Sequence, residues 1–114
     1  MFKNVLKLPI KTKKLNKYDH IQINGLNEFK SFNYKIPGDI SSASFFIVLT
    51  LLSKNKSLTI KNVNINPSRT GIIKILNKMG AKIKFLNTRN NNGEMCADIF
   101  VQSQNKLKGI NCPT

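Results

Sequence analysis

Residues 36–52 read IPGDISSASFFIVLTLL. A Pro-Gly pair redirects the chain, an acid and two hydroxyls follow, and an apolar run comes next. From Ser41 to Ser53 the run reads as a helix. Its apolar residues, Ala43, Phe45, Phe46, Ile47, Val48, Leu49, Leu51 and Leu52, nearly circle the axis. A helix that is hydrophobic all round belongs inside a larger structure. Its β-branched residues leave a strand open, but its length favours a helix. Asp39, Ser41 and Ser42 are all N-cap residue types, and Gly38 permits the sharp turn before them.

Upstream, Phe32, Tyr34 and Ile36 alternate with Asn33 and Lys35, the period of a strand that Pro37 and Gly38 end. Ile21 and Ile23 alternate with Gln22 and Asn24, a second strand pattern broken at Gly25. Met1 to Leu8 reads as the tail of a helix, with Phe2, Val5 and Leu6 at i, i+3 and i+4 and Pro9 as its stop. A chain opening inside the last turns of a helix is expected to start further upstream.

Downstream, Lys54-Asn55-Lys56 is a polar turn and Leu58 to Val63 a strand. Asn66-Pro67-Ser68 supplies helix-start chemistry. Ile72, Ile73, Ile75, Leu76 and Met79 then line one face, with Lys74, Asn77 and Lys78 opposite, and Gly80 is placed to close the helix in a left-handed conformation. Lys82 to Leu86 and Ala97 to Gln102 read as strands around an Asn-rich turn at Thr88 to Gly93. Leu107 to Ile110 starts one more. From residue 34 the order is β-α-β-α-β-β, a mixed α/β (α+β) pattern. Its first two crossovers are long enough for right-handed parallel connections, which bring both helix N-termini to one end of the sheet.

The 114 residues suit one small domain or part of a larger one. Net charge is +14 with a pI near 10.1, which first suggests an anionic partner. Yet 17 of the 19 basic residues are Lys, and only Arg69 and Arg89 are Arg. Lys, Asn and Ile share A/T-rich codons, so a biased genome produces this charge without selection for binding, and scarce Arg weakens a nucleic-acid reading. KTKK at 11–14 reads as a solvated edge or an RNA contact. Cys96 and Cys112 have no metal or redox spacing and read as reduced thiols of a cytoplasmic protein. His20 has no neighbour suggesting a ligand or base. The run Ala43 to Leu52 is too short to span a bilayer, and the N-terminal stretch is a poor signal peptide. No metal site is expected.

At the start of the first helix, two readings stand. Asp39 or Ser41 is simply the N-cap, or this end faces a cleft where an anion rests on the unpaired N–H groups or Asp39 takes part in proton transfer. The second helix start, Asn66 to Thr70, carries Arg69 and points the same way. Arg69 either meets a phosphate or carboxylate, or forms an ion pair holding the helix to a neighbour.

An ordered series of residues resembles the 5-enolpyruvylshikimate-3-phosphate synthases. It comprises Pro37-Gly38-Asp39, Ser41-Ser42-Ala43, Phe46, Asn66-Pro67, Arg69-Thr70-Gly71 and Met79-Gly80-Ala81. The resemblance covers most of the chain and is most specific over 34–83. It implies transfer of the enolpyruvyl group of phosphoenolpyruvate to the 5-hydroxyl of shikimate 3-phosphate, with no metal or organic cofactor, in a monomeric cytoplasmic enzyme. It implies two domains of three β-α-β-α-β-β units each, closing on the substrates. Residues 1–34 would then end the first domain, 35–38 cross between domains, and 39–114 begin the second. Asp39 would be a cleft-facing catalytic acid, with Gly38, Ser41, Ser42, Asn66 and Arg69 structural at the cleft. Each exposed helix terminus adds only about 0.3–1 kcal/mol towards an anion. The family's Lys-Ser…Arg grip, Ser-Ala-Gln phosphate contact and later Asp base with its Lys-Glu…Arg set have no counterpart here, so an internal fragment, inactive alone, is expected.

Three other readings remain open. The sister UDP-N-acetylglucosamine enolpyruvyl transferases share the fold but carry a Pro-Asp-Arg type sequence where this chain has Gly38-Asp39-Ile40. A small basic nucleic-acid-binding module would need basic and aromatic residues on one face. A regulator would dock by an open sheet edge.

Overall fold

The computed structural model describes residues 10–15, 17–25, 28, 31–104 and 106–111. The expected N-terminal helix tail at Met1 to Leu8, with its stop at Pro9, lies outside them, as does Cys112. The chain divides into two compact units, Met1–Lys35 and Ile36–Thr114.

In the first unit, β1 (Ile10–Leu15) pairs antiparallel with β2 (Tyr18–Ile23), in register from Ile10↔Ile23 to Leu15↔Tyr18. The alternation around Ile21 and Ile23 is a strand, as expected. The KTKK run, read as a solvated edge or RNA contact, is the strand opposite it. Charge hides β1 in the sequence, because Lys11, Lys13 and Lys14 remain exposed on a ribbon with solvent on both faces. The strand expected over Phe32 to Ile36 does not form, and 31–37 is irregular. A strand is held by a ladder of backbone bonds to a neighbouring strand, and the pairing described here is a single parallel bridge from Gly38 to Val63. Phe32 and Tyr34 instead meet edge to face, 6.5 Å between centroids.

The second unit holds α1 (Ile40–Leu52), β3 (Ser57–Asn64), α2 (Gly71–Lys78), β4 (Lys82–Asn91) and β5 (Glu94–Gln102). The sheet order is β3-β5-β4, with β5 antiparallel to both neighbours. β3 and β4 therefore run the same way, but β5 lies between them, so the second crossover creates no parallel pair. The hairpin explains this. Asn92 and Gly93 both have positive φ, 52° and 87°, the type I′ turn that matches strand twist. The expected turn at Thr88 to Gly93 contracts to those two residues, and β4 and β5 zip together up to them.

One stripe of α1, Ile40, Ala43, Ile47 and Leu51, packs on Val63, Ile99 and Val101 of the sheet and on Ile73 and Leu76 of α2. Buried Thr50 donates its hydroxyl to the Phe46 carbonyl at 2.8 Å. The opposite stripe is open: Phe45 is 78% exposed and Leu52 71%, with Phe46 and Leu49 between them. The all-round apolar helix is thus half-buried here, because one sheet covers only one of its faces.

Helix α2 begins at Gly71, later than the Asn66-Pro67-Ser68 chemistry suggested. The Asn66 side chain accepts from the Ser68 N–H at 3.1 Å, and the Arg69 N–H donates to the Asn66 carbonyl at 2.8 Å. These bonds make an Asx turn before the helix. Ile73 and Leu76 are buried, whereas Ile72 is turned outward. Gly80 closes the helix at φ 94°, with the Ala81 N–H donating to the Leu76 carbonyl at 3.0 Å, as the sequence predicts. Leu107 to Ile110 forms no strand. Its Lys108 N–H donates to the Met79 carbonyl at 2.8 Å, and Leu107 packs on the core.

The two faces of α1 make a direct comparison. In urea unfolding of the chain, Ile47→Ala is expected to cost about 2–5 kcal/mol through lost burial and a cavity. Phe46→Ser is expected to change stability by less than about 0.5 kcal/mol. Equal losses would mean that both faces are covered in solution.

Candidate functional site

The site builds from Gly38. Its N–H donates to the Asn62 carbonyl at 2.8 Å, and its carbonyl accepts from the Asn64 N–H at 2.9 Å. These bonds fasten Gly38, two residues before α1, to β3. Asp39 then takes extended geometry, φ −81° and ψ 130°, and caps the helix. Its carboxylate accepts from the Ser42 N–H at 3.1 Å and from the Ser42 hydroxyl at 3.3 Å. Of the two capping candidates, the carboxylate serves because it spans one turn to an otherwise unpaired N–H.

Arg69 comes to the same point from the turn before α2. Its Nη2 lies 3.2 Å from Asp39 Oδ1 and 3.5 Å from the Ser41 hydroxyl oxygen. The starts of both helices are therefore at one end of the sheet, joined by an ion pair. Asp39, Ser41, Ser42 and Arg69 come together directly. Gly38 sets the backbone and Asn66 shapes the turn that delivers Arg69. Both partners of the ion pair are substantially exposed, Arg69 by 59% and Asp39 by 45%, so water screens their attraction. The Ser42 N–H above all, with the Ser41 N–H and Arg69 adding, holds the Asp39 carboxyl below the ordinary value of 3.8 against some desolvation. Asp39 is ionised at neutral pH, with its oxygens committed to the cap and to Arg69.

A second polar cluster lies across the sheet, and the sequence reading did not foresee it. Asp98 of β5 accepts from the Asn62 N–H at 2.9 Å and from the Asn87 side-chain amide at 3.0 Å. Arg89 donates to the Asn62 side-chain oxygen at 2.7 Å and to the Asn87 carbonyl at 3.0 Å, and lies 3.5 Å from Asp98. The Asn87 amide, then the Asn62 N–H and Arg89, lower the Asp98 carboxyl below 3.8. The available clue was Asn62 inside the Leu58 to Val63 strand, since Asn is a poor strand former that tolerates left-handed backbone.

Lysines gather at the far end of the sheet. Lys56, Lys82 and Lys106 border an open depression of about 500 Å³ near the start of β3. Among the described residues no group of His, Cys, Asp and Glu is arranged to hold a metal ion. Cys96 is a buried free thiol whose pKa is raised by desolvation. No described helix is long and apolar enough to cross a membrane.

Acid titration reads both carboxylates. Because their folded pKa values are depressed, the unfolded chain binds more protons in acid. Their stabilisation is complete above the ordinary value near 3.8 and is lost as pH falls through the lowered values. Thermal melts between about pH 6 and about pH 2 should show a midpoint that drops below about pH 4. The double variant Asp39→Asn, Asp98→Asn should flatten that drop; an unchanged slope would place it elsewhere.

Comparison with known proteins gives this geometry its context. The sequence profile of EPSP synthase (3-phosphoshikimate 1-carboxyvinyltransferase) matches residues 3–114. The 3-phosphoshikimate 1-carboxyvinyltransferase of Petrotoga mobilis is 48% identical over 91 residues, 79% of this chain and 21% of that protein. The enzyme of that name from Thermoanaerobacter sp. is 53% identical over 75 residues, 66% of this chain and 18% of that protein. Among solved structures, EPSP synthase from Acinetobacter baumannii superposes with a TM-score of 0.79 at 35% identity, covering 97% of this chain and 25% of that one. The chain thus spans about a fifth of the length of the curated relatives it matches. These matches favour the shikimate-pathway reading over the sister transferase and the basic nucleic-acid module. With the profile running along nearly all of the chain and the fold agreeing, this chain belongs to the EPSP synthase family.

Proposed function

We propose that this chain supplies one unit of an enzyme that transfers the enolpyruvyl group of phosphoenolpyruvate to shikimate 3-phosphate. The observation that carries the reading is the 3.2 Å contact between Arg69 and Asp39. It joins two helix starts at one end of a sheet, in a chain of the EPSP synthase family. Both substrates carry several negative charges, and helix N-termini with a nearby guanidinium favour such ligands.

In this reading residues 1–34 end one domain, 35–38 cross between domains, and 39–114 open the second. The exposed stripe of Phe45, Phe46, Leu49 and Leu52 is the face on which the rest of that second domain packs. Asp39 faces the cleft as an ionised anchor. Committed to the Ser42 N–H and to Arg69, and held below its ordinary pKa, it is a weak proton donor at neutral pH. It keeps α1 capped and Arg69 in place. Ser41, Ser42, Gly38 and Asn66 set the backbone around that pair. The assembled enzyme is a cytoplasmic monomer, and the chain alone turns over no substrate.

A chimera tests this. The matching segment of the Petrotoga mobilis enzyme is replaced by the corresponding residues of this chain, and phosphate release from the two substrates is followed. Activity within about tenfold of the parent enzyme is expected, and Arg69→Gln in the chimera should lower kcat/KM by about tenfold or more. A folded but inactive chimera would sink the assignment. Full activity with Arg69→Gln would remove the Arg69 end of the sheet from substrate handling.

A further inference from the structure

We propose that Asp98 is a positioning residue for the Asp39–Arg69 site, acting through Asn62. The inference rests on the reading that the Gly38–Asp39 end of the sheet is the substrate end.

The register of the sheet shows how this works. Between β3 and β5, Ile60 faces Ile99 and Val63 faces Ala97, so Lys61 and Asn62 together oppose Asp98. Between β4 and β5, Leu86 faces Asp98 and Arg89 faces Cys96, so Asn87 and Thr88 together oppose Ala97. Each outer strand thus carries one extra residue beside the same short stretch of β5. Both bulges contain an Asn at positive φ, Asn62 at 55° and Asn87 at 51°. Left-handed backbone is disfavoured for residues with a Cβ and persists where neighbours enforce it. Asp98 is that neighbour for both: one oxygen takes the Asn62 N–H and the other the Asn87 amide. Arg89 closes the ring by binding the Asn62 side chain and the Asn87 carbonyl.

Asn62 carries the consequence to the site. In a regular strand the N–H and C=O of one residue point to the same neighbouring strand. Asn62 divides them: its N–H goes to Asp98 on β5, and its C=O takes the Gly38 N–H on the other edge of β3. Straightening the bulge would turn that carbonyl away from Gly38. Gly38 precedes the helix cap, so its hold on β3 sets where Asp39 meets Arg69. A side chain only 13% exposed thereby governs an exposed ion pair it does not touch.

The test uses the 114-residue chain and does not depend on transfer activity. Amide hydrogen exchange is measured by NMR, with the Asp39 carboxyl titrated through its carbon shift, in the parent chain and in Asp98→Ala, Asp98→Asn and Asn62→Gly. In Asp98→Ala the Gly38 and Asn64 amides should exchange about tenfold faster or more, while helix amides at Ile47 and Leu51 change much less. The Asp39 carboxyl should move up towards 3.8. Asn62→Gly adopts the same backbone freely and should retain the protection of Gly38. If Asp98→Ala fails to fold, Asp98→Asn decides by the same amides. Unchanged exchange at Gly38, or an equal loss across sheet and helices in both Asp98 variants, would overturn the proposal. The chimera's activity would still stand or fall separately.

Discussion

The structure of the second unit depends on the clasp between Gly38 and β3. Two backbone hydrogen bonds, at 2.8 and 2.9 Å, fasten the chain to the outer edge of β3 two residues before α1 begins. A strand edge presents unpaired N–H and C=O groups, and Gly38 satisfies one of each. The helix that follows has its start fixed by those bonds and its length fixed by packing. From that start, Ile40, Ala43, Ile47 and Leu51 fall on the sheet in one stripe. The same start brings the Asp39 cap within reach of Arg69.

The unit separates its packing from its polar chemistry. Apolar side chains of both helices pack on the sheet, while charged groups gather at its ends and in the Arg89–Asp98 ring across its three strands. Arg69 and Asp39 occupy the end where the helices begin, and three lysines border the depression at the other. The net charge of +14 therefore says little about the site. The two arginines have the specific partners, Arg69 with Asp39 and Arg89 with Asp98. A planar guanidinium can join two elements through several directed bonds, which an ammonium does less well. This is how Arg89 binds residues on both bulged strands.

Much of the fold was legible because it rests on local patterns. The α1 run, the alternation in β2 and β4, and the closing role of Gly80 each follow from periodicity or from one residue's backbone preference. The readings that failed depend on partners distant in sequence. Phe32 to Ile36 alternates like a strand but finds no strand beside it. Lys11 to Lys14 stays exposed, as a solvated edge should, and its pairing with the nearby β2 adds a strand to that reading. Leu107 to Ile110 gives its backbone bond to the end of α2 instead of to a sheet. At the site, the helix-start chemistry of Asp39 and Asn66 was visible. The Asp98 ring was not, because it joins residues 62, 87, 89 and 98 across three strands.

The amino-acid sequence by itself determined both helices of the second unit, the strands β2 to β5, the capping chemistry before α1, and the family to which the chain belongs. Those features are written in neighbouring residues, through hydrophobic period, capping chemistry and an ordered motif. Tertiary structure alone decided that β5 lies between β3 and β4, that one face of α1 is buried and the other left open, and that Arg69 meets Asp39. Each of these depends on which strands pair and in what register. Such geometry exists only once strands far apart in the chain have paired.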